Sequence, residues 1–136
     1  MLTQLHPTPA APDADLLTDA EAAALARATL RLFDRWQLTD AEARDLLGGM
    51  TARTWARWKA GEVGRITRDL GTRMSLLMGI HKALRYMFSE AERGYGWIRQ
   101  PNTAFAGQSA LAVMRGGTLF HLARVRSYLD AERGGW

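Results

Sequence analysis

The 136-residue sequence predicts an all-α protein, and three observations carry that prediction. Ser or Thr stands three residues before Glu at Thr18–Glu21 (TDAE), Thr39–Glu42 (TDAE again) and Ser89–Glu92 (SEAE), the capping-box arrangement that marks helix starts. Apolar residues then recur with a period of about 3.6, as in Leu25, Leu32 and Trp36, and again in Leu70, Met74, Leu77, His81, Leu84 and Phe88. Glycines at 48–49, 61 and 64, 94 and 96, and 116–117 fall where these helices are due to end, and no stretch alternates with the two-residue period of a strand.

Taken in order, residues 1–17 are expected to form a flexible tail: three of the four prolines lie there among small and polar residues with no apolar period. Helices are expected at about 18–36, 40–47, 51–60, 68–89, 90–99, 108–115 and 118–132. A break near Glu90 divides them. Residues 18–89 read as a helical bundle, and residues 90–136 as a shorter segment, aromatic and punctuated by glycine, that ends in RGGW.

The bundle contains a helix-turn-helix layout in LTDAEARDLLGGMTARTWARWKAG (Leu38 to Gly61), with a helix capped at Thr39, a glycine-bearing turn and a second helix opening at Thr51. Ala43, Leu46 and Leu47 should be buried from the first helix, Met50 should plug the turn, and Trp55 and Trp58 should lock the second helix inward. Thr51, Ala52, Arg53, Ala56 and Arg57 are left on the outer face, where Arg53 and Arg57 would reach base edges or phosphates of a major groove. Charge follows the same map: between Met50 and Arg68 stand Arg53, Arg57, Lys59, Arg65 and Arg68 against Glu62 alone, a surplus equal to the net +4 of the whole chain. Thr51, Arg53, Arg57, Lys59, Arg65 and Arg68 are therefore the candidate DNA-binding residues, with Arg65 and Arg68 touching phosphates. An ordinary helical hairpin with a solvated arginine face has the same layout. MTARTWARWKAG resembles the second-helix pattern of Xre-type repressors, which favours DNA binding over the plain hairpin.

From Tyr95 onward the segment is rich in Trp, Tyr, Phe, Met and Arg, the types enriched at protein interfaces, and is short for an independent core. A helix carrying Leu111 and Met114 should end at Gly116 and Gly117, and Thr118 should cap a helix that buries Leu119, Leu122, Val125 and Leu129. The same composition suits a C-terminal subdomain packed on the bundle. Trp97, PNTAF (Pro101 to Phe105), Gly107, Leu111, Met114, Gly117 and VRSYLDAERGGW (Val125 to Trp136) together resemble the toxin-binding domain of the Xre/MbcA/ParS antitoxin family, and residues from about 20 onward are similar to that family throughout.

The resemblance implies an Xre-like helix-turn-helix bundle followed by a small helical toxin-binding domain. It implies a cognate partner with a RES domain, a toxin class that degrades NAD, encoded beside the antitoxin, and a homodimer within a hetero-oligomeric complex that binds operator DNA and represses its own operon. Trp97, Asn102, Phe105 and Tyr128 would contact the toxin, and Arg133, Gly134, Gly135 and Trp136 would plug its active-site entrance. The PN loop serves equally as a structural turn, because proline fixes φ and asparagine readily turns the chain. Terminal glycines equally suit a frayed end.

Other function classes find little material. With no cysteine there is neither a disulfide framework nor a thiolate nucleophile, which suits a reducing cytoplasm. No basic, apolar leader opens the chain and no run of apolar residues is long enough to span a bilayer, so neither export nor membrane contact is expected. His6, His81 and His121 share no metal-ligand spacing, and no phosphate-cradling loop or nucleophile elbow is present, so no catalytic residue, metal or cofactor is assigned. The competing function is a plain helix-turn-helix regulator whose C-terminal segment serves dimerisation.

Overall fold

The computed structural model describes residues 17–134. The tail expected over residues 1–17 lies outside them except for its last residue, as do Gly135 and Trp136. Seven α-helices follow one another: α1 (Asp19–Arg35), α2 (Asp40–Leu46), α3 (Ala52–Lys59), α4 (Arg68–Met87), α5 (Ala91–Trp97), α6 (Ala110–Met114) and α7 (Leu119–Glu132), with a 3-10 turn at Thr103–Phe105. Each predicted helix is found with its ends shifted by two residues at most, and no strand occurs among the described residues.

The helix starts explain themselves chemically. Thr18 and Glu21 exchange hydrogen bonds at 2.9 and 3.0 Å, and Thr39 and Glu42 at 2.9 and 3.1 Å, so the Thr hydroxyl and the Glu carboxylate each satisfy a backbone N–H that the helix leaves open. The hydroxyls of Thr51, Thr67, Ser109 and Thr118 cap α3, α4, α6 and α7 in the same sense. SEAE behaves differently from expectation: α5 takes Glu90 as its cap residue and makes no side-chain cap bond, because the chain leaves α4 extended at Phe88 and the helix begins one residue late. Gly94 and Gly96 are likewise inside α5 rather than at its end. Gly94 is buried there, and a Cβ on it would sit 3.4 Å from Leu84 Cβ and from Phe88 Cδ2, so its small size lets α5 lie against the end of α4.

The 20-residue α4 is the axis of the molecule. It packs against α1, α5 and, most extensively, α7, through Met74, Leu77, Ile80, Ala83 and Leu84, which recur at helical spacing. The break expected near Glu90 is therefore a bend in the path of the chain and not a gap in packing. One contiguous apolar core runs from Phe33, Trp36 and Trp58 through α4 to Ile98, Met114, Leu122 and Leu129.

Candidate DNA-reading and toxin-facing surfaces

The helix-turn-helix is built around a turn in which Gly48 and Gly49 take φ of 82° and 84°, the left-handed region that glycine enters without a steric cost. Arg44 holds this turn from both directions. Its carbonyl accepts from Gly49 N at 2.8 Å and from Met50 N at 3.2 Å, while its Nε donates to Met50 O at 2.7 Å. From the other side, α4 slides the buried Arg73 under the turn, so close that a Cβ on Gly48 would stand 2.8 Å from the guanidinium carbon. Arg73 is in turn paired with Asp69 at 2.6 Å.

These contacts fix α3, whose Trp55 and Trp58 are 6% and 1% exposed and whose opposite face presents Ala52, Arg53, Ala56 and Arg57 to solvent. Arg53 and Arg57 lie one turn apart on that face. Thr51 caps α3 through Thr54 N at 3.1 Å, so its hydroxyl is engaged locally. Lys59 turns to the flank: its Nζ lies 3.0 Å from Asp40 Oδ1, the atom that also accepts from Trp55 Nε1 at 2.9 Å. Those hydrogen bonds, from Trp55 first and then Lys59, hold the Asp40 carboxyl below its usual range. Arg65 is exposed in the loop after α3, lining the same shallow surface as Arg27 of α1, and that loop is tied to α3 by Glu62 N donating to Arg57 O at 2.8 Å. Arg68 opens α4 with its side chain exposed.

In the C-terminal part, the PN loop is a closed structural unit. Pro101 bridges to Ser109, Asn102 N donates to Gln108 O at 3.1 Å, and the Asn102 side chain accepts from Ala104 N at 2.8 Å. Phe105, 2% exposed, drops into the core and meets the Tyr128 ring edge-on at 5.1 Å, and Tyr128 stacks on Trp97 at 6.1 Å. Three of the aromatic residues expected at a toxin surface thus form one stack beneath the loop. The chain leaves α7 with the Arg133 guanidinium 4.3 Å over the Tyr86 ring and Gly134 at φ 93°.

Two arginines that sequence reasoning passed over join the surfaces. Arg99, just past α5, donates to Gln37 O at 2.9 Å and Trp36 O at 3.2 Å and pairs with Glu42 at 3.3 Å, while Arg115, just past α6, pairs with Asp45 at 2.8 Å. Both carboxylates belong to α2, so the first helix of the helix-turn-helix is held by the C-terminal segment. Partial burial pushes the Glu42 carboxyl up, but the hydrogen bonds from Arg99 and from Thr39 N outweigh it and leave it below its usual range. No spacing in the sequence announces these partners, which are separated by 57 and 70 positions. Phe120 was missed for a different reason. It stands beside the buried series Leu122, Val125 and Leu129 in sequence, but that same period places it off their face, and it is 86% exposed.

Two histidines, His81 and His121, lie among the described residues. His81 stacks on Tyr95 at 6.2 Å, and burial, followed by the nearby Arg35 and Arg85, lowers its pKa, whereas His121 closes a capping box with Thr118. No group of three or more His, Cys, Asp or Glu side chains able to hold a metal ion occurs among the described residues. No helix among them is long and apolar enough to cross a membrane.

Comparison with known proteins adds two matches that cover nearly all of this architecture. Residues 15–79 match the antitoxin Xre-like helix-turn-helix domain, and residues 83–135 match the antitoxin Xre/MbcA/ParS C-terminal toxin-binding domain. An uncharacterized protein, y4oB, of Sinorhizobium fredii is 43% identical over 108 residues, which span 79% of this chain and 83% of that protein.

Proposed function

Because the chain belongs to the Xre/MbcA/ParS antitoxin family, an antitoxin with a helix-turn-helix domain and a toxin-binding domain, we propose that it neutralises a RES-domain, NAD-degrading toxin in the cytoplasm by direct binding and represses its own operon as a dimer on operator DNA. Residues 18–89 carry the DNA-binding half of this reading and residues 90–136 the toxin-binding half. The protein acts by binding and not by catalysis.

The observation that carries the proposal is the presence, in one rigidly packed chain, of an outward pair of arginines on a recognition helix and a matched toxin-binding domain. For DNA, Arg53 and Arg57 are the base-reading or phosphate-binding groups, with Thr51, Arg65 and Arg68 at the phosphate backbone. Lys59 acts at one remove, by fixing α2 to α3 through Asp40. For the toxin, Arg133 to Trp136 form the plug at the active site, while Asn102, Phe105, Tyr128 and Trp97 shape the PN loop that meets the toxin wall. The resemblance of PNTAF and of the RGGW ending to the family supports the RES identity of the partner.

Growth and intracellular NAD, measured on inducing the neighbouring reading frame alone, with the full chain, and with a chain lacking Arg133 to Trp136, test the toxin arm. Toxicity and NAD loss relieved by the full chain and not by the truncated one are expected. Absence of toxicity, or no relief by the full chain, leaves a plain regulator with a dimerising C-terminal segment. The DNA arm is tested with Arg53→Ala and Arg57→Ala, each expected to cost about 1–3 kcal/mol of operator affinity if it reads a base, with duplex binding followed across salt concentrations. Unchanged affinity in the double variant removes α3 as the reading helix.

A further inference from the structure

We propose that the outward stripe of α7, formed by Phe120, Arg124, Ser127 and Ala131, is a docking surface for the toxin, with Phe120 as its aromatic anchor. The inference rests on the toxin-neutralising reading above and adds to it a contact surface away from the chain terminus.

These four residues recur at i, i+4, i+7 and i+11, so they line one side of the helix, and all four are exposed. Leu122, Val125 and Leu129 bury the opposite side, so the core of α7 does not draw on the stripe. A phenylalanine 86% exposed leaves a large apolar surface in water. The other aromatic side chains nearby are already engaged: Trp97, Phe105 and Tyr128 stack with one another, and Tyr86 lies under the Arg133 guanidinium. Phe120 has no ring partner among the described residues. Beyond it, Ser127 and Ala131 are small enough for a partner backbone to approach closely, and Arg124 is the stripe's only charge, a composition that matches the charge-depleted, aromatic centre of protein interfaces.

The occupant follows from where the stripe lies. It falls entirely within the matched toxin-binding domain. Arg124 connects it to the PN loop, donating to Ala104 O at 3.3 Å and covering the Phe105 ring at 5.3 Å. At its far end α7 closes at Arg133 and Gly134, from which the proposed plug departs. A toxin seated on the stripe thus adjoins the loop and the end of α7.

The test uses the full chain and the purified product of the adjacent reading frame. Phe120→Ala and Phe120→Asp are expected to weaken toxin binding at least about tenfold and to reduce protection of growth, while thermal unfolding and operator binding stay at wild-type values. Wild-type toxin affinity in both variants overturns the proposal and leaves neutralisation standing. Loss of the antitoxin dimer with toxin affinity intact also overturns it, assigning the stripe to a second copy of the chain. A fall in unfolding midpoint that accompanies the lost affinity makes Phe120 a structural residue and has the same effect. If the wild-type chain itself neither binds nor protects, the neutralising reading fails, and this inference fails with it.

Discussion

Gly48 is the position at which the helix-turn-helix has least freedom to change. Its φ of 82° is in the region that Cβ-bearing residues avoid, and the space a Cβ needs is filled by the Arg73 guanidinium. Gly48→Ala is expected to lower stability by about 1–3 kcal/mol, seen as a reduced urea midpoint at unchanged slope. Gly49→Ala meets the same backbone strain without the collision, since nothing lies within 4 Å of its Cβ position, and should cost less. An equal loss at both positions would show that Arg73 yields freely. At this scale much was legible in advance: the inward Trp55 and Trp58 and the outward Arg53 and Arg57 follow from helical period, and the plug of Met50 from its place in the turn between two helices. What period cannot supply is the partner. That Lys59 leans on Asp40, or that Phe105 sits inside and not on the surface, depends on how separate segments cross.

Helix α2 is short; it buries Ala43 and Leu46 in the core and is tied to its neighbours by three ion pairs, Asp40 to Lys59, Glu42 to Arg99 and Asp45 to Arg115. The carboxyls of Asp40 and Glu42 have folded pKa values below their ordinary ones. Folding therefore favours the deprotonated form, and these groups contribute stability above the usual carboxylate range that is lost as pH falls through the folded values. Thermal midpoints should decline below about pH 4, and Glu42→Gln should both lower the midpoint at pH 7 and flatten that decline, because it removes the charge that Arg99 faces. An undiminished acid slope in Glu42→Gln would assign the pH dependence to other carboxylates. The capping boxes that start α1 and α2 were readable as four-residue words. The third word, SEAE, does not cap: the chain leaves α4 extended at Phe88 and α5 starts from Glu90 with no side-chain cap bond, while Gly94 lies against Leu84 and Phe88.

Across the whole molecule, α4 gives one face to α1 and another to α7, so the two functional halves share an interior. Removing residues 90–136 strips the cover from Ile80, Ala83 and Leu84, and the remaining chain is expected to lose cooperative unfolding. Tryptophan fluorescence, three of whose five sources (Trp36, Trp55 and Trp58) lie in residues 18–89, and helical circular dichroism should give coincident transitions in the intact protein. Two separated transitions would show that the halves fold independently. The sequence places a boundary near Glu90 because a shorter, aromatic and glycine-punctuated segment follows the helical bundle there, but burial is not visible in such a change of composition. The two matched domains meet between residues 79 and 83, inside α4 and not in a loop. This has a consequence for descent. Genes that trade parts usually do so at linkers, where a crossover leaves both products whole. Here a junction in the loop after α4 would hand the recipient a helix shaped for another lineage's α7, so new combinations of the two surfaces are expected to arise by drift of the surface residues rather than by exchange of halves.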